Sequence, residues 1–387
     1  MSDTTKHAIL SASSAHKWLI CTPSVRLEEK FENVTSEYMQ EGTLAHEIAE
    51  FQVKSYFLEP VTKKKKMEEL SKFKEKSFYN DEMIAHTETY LEYIKQQAMQ
   101  TNCKPFITVE KRVDYSHVAP EGFGTADCIM ITGSLLHIID FKYGKGVKVE
   151  AERNPQMMLY ALGAIKEYSI FYDIKNVKMS IVQPRIDNIS EWECTIQELN
   201  NWAETEVKAQ AQKAFMGVGE FIAGEHCKFC RARKECKARA MKFIPVIHKL
   251  KETDPNLLTN IDISNILKES VGLEDFLKDI KAGALDKILQ GQDIPGWKAV
   301  EGKSNRVITD VDKAFEDLEN AGYEKDILYE RKPLGLTALE KVVGKKKLTD
   351  IISKYIEKPK GAPTLAPEND KREKYSIKSS AIEDFAE

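Results

Sequence analysis

Residues 123–142 read Phe-Gly-Thr-Ala-Asp-Cys-Ile-Met-Ile-Thr-Gly-Ser-Leu-Leu-His-Ile-Ile-Asp-Phe-Lys. Two runs rich in Ile, Leu, Thr and Phe, 123–131 and 135–142, flank Gly133-Ser134, a signature of a two-residue hairpin turn. Side chains alternate between the faces of a strand, so Asp140 and Lys142 share one face and Phe141 turns to the other, toward a core. Turning at 132–134 brings Asp127 of the first run beside Asp140 of the second. Two crowded carboxylates repel unless a cation holds them, and Mg²⁺ accepts one or two carboxylates together with water and phosphate oxygens. A lysine next to that pair can orient or deprotonate a water, or neutralise charge developing on a phosphate. Asp-x-Lys is also an ordinary surface ion pair, so the weight rests on its surroundings.

Working outward, residues 106–113 form a further strand and carry Glu110 at a position that can face the same cleft. Residues 155–168 read as a helix opened by Pro155, a favourable first-turn residue. Gln156 and Tyr160 lie one turn apart on it and can reach over the hairpin. A strand at 176–184 and a helix at 196–216 follow. Upstream, 43–58 repeats apolar residues at helical spacing, with Thr43 near the cap after Gly42. This helix presents His46, an imidazole ligand better suited to Mn²⁺ than to Mg²⁺, with Glu50 one turn further on. Residues 8–22 give a short amphipathic run limited by Pro23, and 81–99 give another helix. Between them 59–80, with Lys63 to Lys66, Lys72, Lys74 and Lys76, reads as a solvated, mobile basic segment. Helices, three strands, helix, strand, helix: the order predicts an α/β core of about 240 residues.

A chain of 387 residues, 42% apolar, is long enough for two domains or one large domain with an appendage. Its 57 Lys and Arg against 61 Asp and Glu give a net charge of −4, which excludes an architectural nucleic-acid packager but leaves room for a local basic channel. The N-terminus lacks a secretory signal and no stretch approaches 18 uncharged apolar residues, so the chain is expected to be cytoplasmic. Beyond Pro245, residues 258–290 suggest two or three short helices, with more at 310–320 and 336–356, and 359–387 suggest an extended tail. The expected boundaries are therefore 1–244, 245–358 and 359–387. Lys298, Lys303 and Arg306 near Trp297, and Lys345 to Lys347, suit either strand contact or a solvated loop. No internal repeat is present.

Seven cysteines do not make a disulfide scaffold in a chain of this length. Cys227-x2-Cys230-x5-Cys236 places three thiols within ten residues, flanked by His226, Lys228, Arg231, Arg233 and Lys234. A structural metal site takes four ligands, and Cys21 is the candidate fourth, since segments just before and just after the core can meet. Zinc and iron–sulfur are not separated by this spacing, and His226 can replace a thiolate at zinc. Cys103, Cys128 and Cys194 are left as core residues.

Taken together, Gly42-x3-His46, Glu110, Gly124-x2-Asp127, Asp140-x-Lys142 and Gln156-x3-Tyr160 resemble the RecB-like branch of the PD-(D/E)XK nuclease superfamily, over roughly residues 8–240. The resemblance implies a central mixed sheet flanked by helices. It implies Mg²⁺ or Mn²⁺ bound by His46, Asp127, Asp140 and the Phe141 carbonyl, Lys142 assisting the nucleophilic water, and Gln156 and Tyr160 contacting DNA and organising the site, with Glu110 in the same catalytic set. One cysteine before the core and three after it resemble the iron–sulfur-bearing members, including the AddB nuclease domain and CRISPR-associated exonucleases. That implies a largely structural 4Fe–4S cluster on Cys21, Cys227, Cys230 and Cys236. The whole chain resembles phage and prophage proteins grouped as RecB-like, which implies a part in phage DNA replication or recombination in a bacterial host. The expected function is a metal-dependent deoxyribonuclease leaving a 5′-phosphate and a 3′-hydroxyl. An exonuclease is favoured because nothing resembles a base-reading module. A noncatalytic DNA-binding or scaffolding subunit is the alternative, argued from the net charge and the large C-terminal part. A zinc-binding regulator would require the Asp-x-Lys to be coincidence.

Overall fold

The computed structural model describes residues 8–32, 37–100, 103–243, 259–300 and 313. Five strands form one sheet in the order β1 (Phe106–Asp114), β2 (Phe123–Thr132), β3 (Leu135–Phe141), β4 (Asn176–Gln183) and β5 (Asn188–Thr195). The β2–β3 hairpin turns where the sequence signals it: Thr132 lies opposite Leu135, and Gly133 adopts φ 58°, a conformation open to glycine at little cost. β1 and β2 are antiparallel, as are β4 and β5, whereas β3 and β4 run parallel. Parallel neighbours need a crossover, and a helix at Pro155–Tyr168 supplies it. The chain is thus α/β, a mixed sheet flanked by helices.

Helices number in chain order as α1 (Ala15–Trp18), α2 (Ser24–Glu28), α3 (Glu37–Phe57), α4 (Lys63–Lys74), α5 (Met83–Met99), α6 (Pro155–Tyr168), α7 (Ile196–Trp202), α8 (Lys208–Met216), α9 (Lys237–Met241), α10 (Asn260–Glu269) and α11 (Leu273–Leu289). One core layer packs α1, α6, α7 and α8 on Ile129, Ile131, Leu136, Ile138, Val177 and Met179. The other packs α3 and α5 on Ile107, Val109, Met130, Ile139 and Phe141. At β3 these two sets are the even and odd positions, as a period of two requires.

The period breaks on β1 and β2 at one level. Ile107 and Val109 face α3 and α5, yet Val113, also odd, belongs to the α6 layer. On β2, Cys128 and Met130 face α3 while Ala126, also even, faces α6. The pairing register is unchanged across the break, with Val109 opposite Cys128 and Lys111 opposite Ala126. Glu110, between them, has φ 47°, an uncommon conformation for a residue with a side chain and one that costs energy. The break therefore sits at Glu110 and Asp127, two of the residues singled out above.

Several sequence expectations need correcting. Residues 63–74 are helix, not a mobile segment: Thr62 caps α4 by accepting from Lys65 N, and Leu70 and Phe73 dock it on the α3 layer. β5 was not expected at all. Its inward positions include the polar Asn188 and Ser190, which hide the alternation, although Trp192 and Cys194 follow on the same face. Thr43 is not a cap. α3 already runs from Glu37, and the Thr43 hydroxyl donates to Met39 O within it. Cys103 is exposed rather than core, whereas Cys128 and Cys194 are buried.

The chain divides into two compact units, Met1–Val300 and Glu301–Glu387. α11 packs on the cysteine-bearing segment through Arg239–Asp279 (2.5 Å), Arg233–Asp279 (3.2 Å) and Lys234–Asp286 (2.6 Å). Trp297 is exposed. Apart from Lys313, which is helical, the helices expected at 310–320 and 336–356, the tail 359–387, and Lys303, Arg306 and Lys345 to Lys347 lie outside the described residues. Among the described residues no helix is long and apolar enough to cross a membrane.

Candidate functional site

α3 lies over the hairpin and brings His46 to it. The imidazole packs edge-on against Phe141, with ring centroids 5.3 Å apart, and Tyr90 from α5 holds Phe141 on its other side at 5.0 Å. His46 Nδ1 is 3.4 Å from Asp127 Oδ1, while Asp127 Oδ2 accepts the Phe141 N–H at 2.7 Å. Glu110 completes the group. Donor atoms of His46, Glu110 and Asp127 all lie within 4.8 Å of one another, the one such trio found among the described residues. Ligand atoms around an ion with bonds of ~2.1 Å lie about 3–4 Å apart, so this donor set suits a divalent cation after small side-chain rotations. Glu50, the possible second-turn partner of His46, instead pairs with Lys54.

Asp140 on β3, and Lys142 just beyond its end, lie next to this trio and reach Gln156 of α6. Lys142 Nζ is 2.8 Å from Asp140 Oδ2 and donates to Gln156 Oε1 at 3.2 Å. Gln156 Nε2 in turn donates to Asp140 Oδ1 at 3.1 Å and to Tyr160 Oη at 3.2 Å. The start of α6 is fixed by Asn154, whose Oδ1 accepts from Gln156 N and Met157 N, and this sets where Gln156 points. Gly124 lets the Tyr160 ring in: a Cβ there would be 2.6 Å from Tyr160 Cε1. The motif residues therefore form two adjoining clusters, the trio on one side and Asp140–Lys142–Gln156–Tyr160 on the other.

Charges in the two clusters act on each other. Burial disfavours a charged His46, but the Asp127 carboxylate and its hydrogen bond, with Asp140 beyond, hold its pKa up at about 9. Asp127 is correspondingly low, because His46, Lys142 and the Phe141 N–H overcome burial. Burial, aided by the Asp127 charge, lifts Glu110 to about 7. Asp140 is raised by burial in spite of Lys142, whereas Lys142 is raised because two carboxylates outweigh its burial. The two carboxylates thus favour the charged form of Lys142, a hydrogen-bond donor.

Sequence reasoning did not single out the residues that brace α3 in place. Glu41 accepts from Asn80 Nδ2 at 2.7 Å and from Arg185 NH1 at 3.2 Å. Arg185 also stacks 4.6 Å over the Tyr143 ring, and the Tyr143 hydroxyl donates to Asn80 Oδ1 at 3.0 Å. These pairings join residues 39 to 144 positions apart, so no local pattern signals them.

The four singled-out cysteines, Cys21, Cys227, Cys230 and Cys236, line one pocket together with Lys17, His226, Arg233 and Arg239. The segments that carry them are stapled: Thr22 Oγ1 donates to Val218 O, Arg26 Nε to Phe215 O, and Arg231 N to Glu28 Oε1. Glu28 also holds the buried Lys17 at 2.5 Å. His226 Nε2 is engaged with the Ile222 carbonyl at 2.9 Å. Burial pushes the Cys230 thiol up to about 12. A zinc with 2.3 Å bonds needs its sulfurs about 3.8 Å apart, and these cysteines form no trio within 4.8 Å.

Residues 7–373 match the family described as "Protein of unknown function (DUF2800)", and the chain belongs to that family. A solved structure described as "Crystal structure of SSO0001" covers 56% of this chain and 95% of its own, at 15% identity and a TM-score of 0.24, a likeness too slight to carry any argument.

Proposed function

We propose that the protein is a metal-dependent deoxyribonuclease with a PD-(D/E)XK-type site, acting on DNA ends. The observation that carries this reading is the convergence of His46, Glu110 and Asp127 within 4.8 Å, beside Lys142, which pairs with Asp140 at 2.8 Å. A merely structural ion pair needs no such trio, and the strain at Glu110 is of the kind that collects at working sites. His46, Glu110 and Asp127 would hold Mg²⁺ or Mn²⁺, with Asp140 alongside. The ion, when bound, polarises a phosphate oxygen and lowers the pKa of its water. Lys142, kept protonated and aimed by Asp140 and Gln156, neutralises charge that builds on the phosphate. Tyr160 holds Gln156 in place, and Gln156 steers both Asp140 and Lys142. Cys21, Cys227, Cys230 and Cys236, which line one pocket, would hold a 4Fe–4S cluster that clips the chain before and after the core. A part in phage replication or recombination is consistent with this chemistry.

The test is a time course on end-labelled single- and double-stranded DNA with Mg²⁺, Mn²⁺ or chelator. Shortening from labelled ends that requires the metal supports the reading. Intact DNA under every metal condition refutes it.

A further inference from the structure

The basic stretch 63–76 is a built surface rather than a loose tail. It holds seven lysines and three glutamates, a local net charge of +4 in a chain whose net charge is −4. α4 buries no residue fully and is held to α3 by Leu70 and Phe73, with Phe73 6.0 Å from Phe51. Further along, Lys76 pairs with Glu47 at 2.6 Å, next in sequence to His46. Rising numbers on α4 thus meet falling numbers on α3, so the two helices run antiparallel. The end of the basic stretch lies beside the site, and its first turn lies near the end of α3. Eleven residues separate His46 from Phe57, about 17 Å of helix.

That first turn is electrostatically adverse. Lys63, Lys64, Lys65 and Lys66 stand at the positive end of the helix dipole with no acidic residue among them. Lys72 pairs with Glu69, but among the described residues no ion-pair partner faces Lys63 to Lys66 or Lys74. Four like charges against a like dipole cost helix stability, and a polyanion laid along them would relieve that cost. We propose that α4 and the turn after it, from Lys63 to Lys76, form a ridge that grips the DNA phosphate backbone and leads it to the site. The proposal rests on the nuclease reading. At 3.4 Å per phosphate along one strand, the four lysines would engage phosphates about five base pairs from the one being cut.

The experiment measures binding of the full chain to a fluorescent 20-base-pair duplex by anisotropy, in chelator, across a range of NaCl concentrations. The variant carries Lys63→Gln, Lys64→Gln, Lys65→Gln and Lys66→Gln, and its helix content is checked by circular dichroism. Each lost phosphate contact lowers the slope of log K against log salt by about 0.9 on a duplex, so the expected drop is about 2–3, with affinity at 50 mM salt weaker by about tenfold or more. Cleavage at saturating DNA should be unchanged. A second variant, Lys72→Gln with Lys74→Gln, should lower the slope by about 1–2, which keeps the test decisive if the first variant frays. Slopes equal to wild type in both variants, while the wild type binds and cuts DNA, overturn the ridge and leave the nuclease reading standing. A lysine-dependent slope without any cleavage supports the ridge and removes the nuclease reading. Lysine-dependent binding to phosphatidylserine vesicles with no change in the DNA slope also overturns the proposal.

Discussion

Gly124→Ala tests how the second cluster is built. The Cβ it adds would be 2.6 Å from Tyr160 Cε1, where carbon atoms ordinarily sit about 3.5–4 Å apart, so roughly an ångström must be found. Tyr160 is 6% exposed and packed in the α6 layer, and it cannot swing into solvent. Overpacking of this size costs about 1–3 kcal/mol. In domains of 150–250 residues each kcal/mol lowers Tm by about 2–4 °C, so thermal unfolding should shift by a few degrees. Moving the ring also withdraws its hydroxyl from Gln156, so cleavage should fall while Mn²⁺ still binds the His46 trio. The control is the Tyr160→Ala background, itself about 3–5 kcal/mol less stable, in which the added methyl meets no ring and should cost almost nothing. A coupling of about 1–3 kcal/mol in this double-mutant cycle is the expected result. An equal cost of Gly124→Ala in both backgrounds would show that the tyrosine is not the obstacle and would refute the reasoning.

Glu110→Gln and Asp127→Asn should each weaken Mn²⁺ binding by about tenfold or more, while Lys142→Met leaves it nearly intact and abolishes cleavage; calorimetric titration separates the three, and unaltered Mn²⁺ affinity in Glu110→Gln would remove that residue from the ligand set. Burial, with the Lys178 charge, depresses His137 to about 3, and the ring meets Ser180 Oγ at 2.7 Å. The unfolded chain therefore takes up the proton first, so this contribution to stability is complete above about pH 6.5 and is lost as pH falls toward 3, on the order of 5 kcal/mol over the whole window. Urea midpoints should accordingly drop faster between pH 7 and 4.5 in the wild type than in His137→Asn; parallel curves would count against it. Protein purified without oxygen should contain about four irons and absorb broadly near 400 nm, and Cys21→Ser should lower iron and Tm together. One zinc and no iron would overturn the cluster.

Much of the site was legible because its signals are local. A turn dipeptide between two apolar runs set the hairpin, and a period of two put Asp140 and Lys142 on one face with Phe141 in the core, where its ring is found. Pro155 announced the helix that delivers Gln156 and Tyr160. The spacing of Cys227, Cys230 and Cys236 singled out, in the same short-range way, residues that line one pocket. Where a local rule was suspended by a distant contact, the reading failed. α4 is polar enough to look mobile, and only Phe51 and its neighbours on α3 make it a fixed helix. β5 hides behind inward Asn188 and Ser190, which are satisfied by residues some forty positions away.

Tertiary structure alone decided that Glu110 gathers with Asp127 and His46. Nothing in the spacing of Glu110 shows that its backbone turns left-handed and that both strands change face at that level, yet this break accompanies the gathering of Glu110 and Asp127 with His46. Likewise Cys21 reaches the other cysteines' pocket because Arg26, Thr22 and Glu28 are hydrogen-bonded to a segment about two hundred residues later. Turns, periods and ligand spacings follow from the conformations of a few neighbouring residues and can be read in order along the chain. Which distant groups share a site follows from how whole layers pack on the sheet, and that is settled only once the sheet exists.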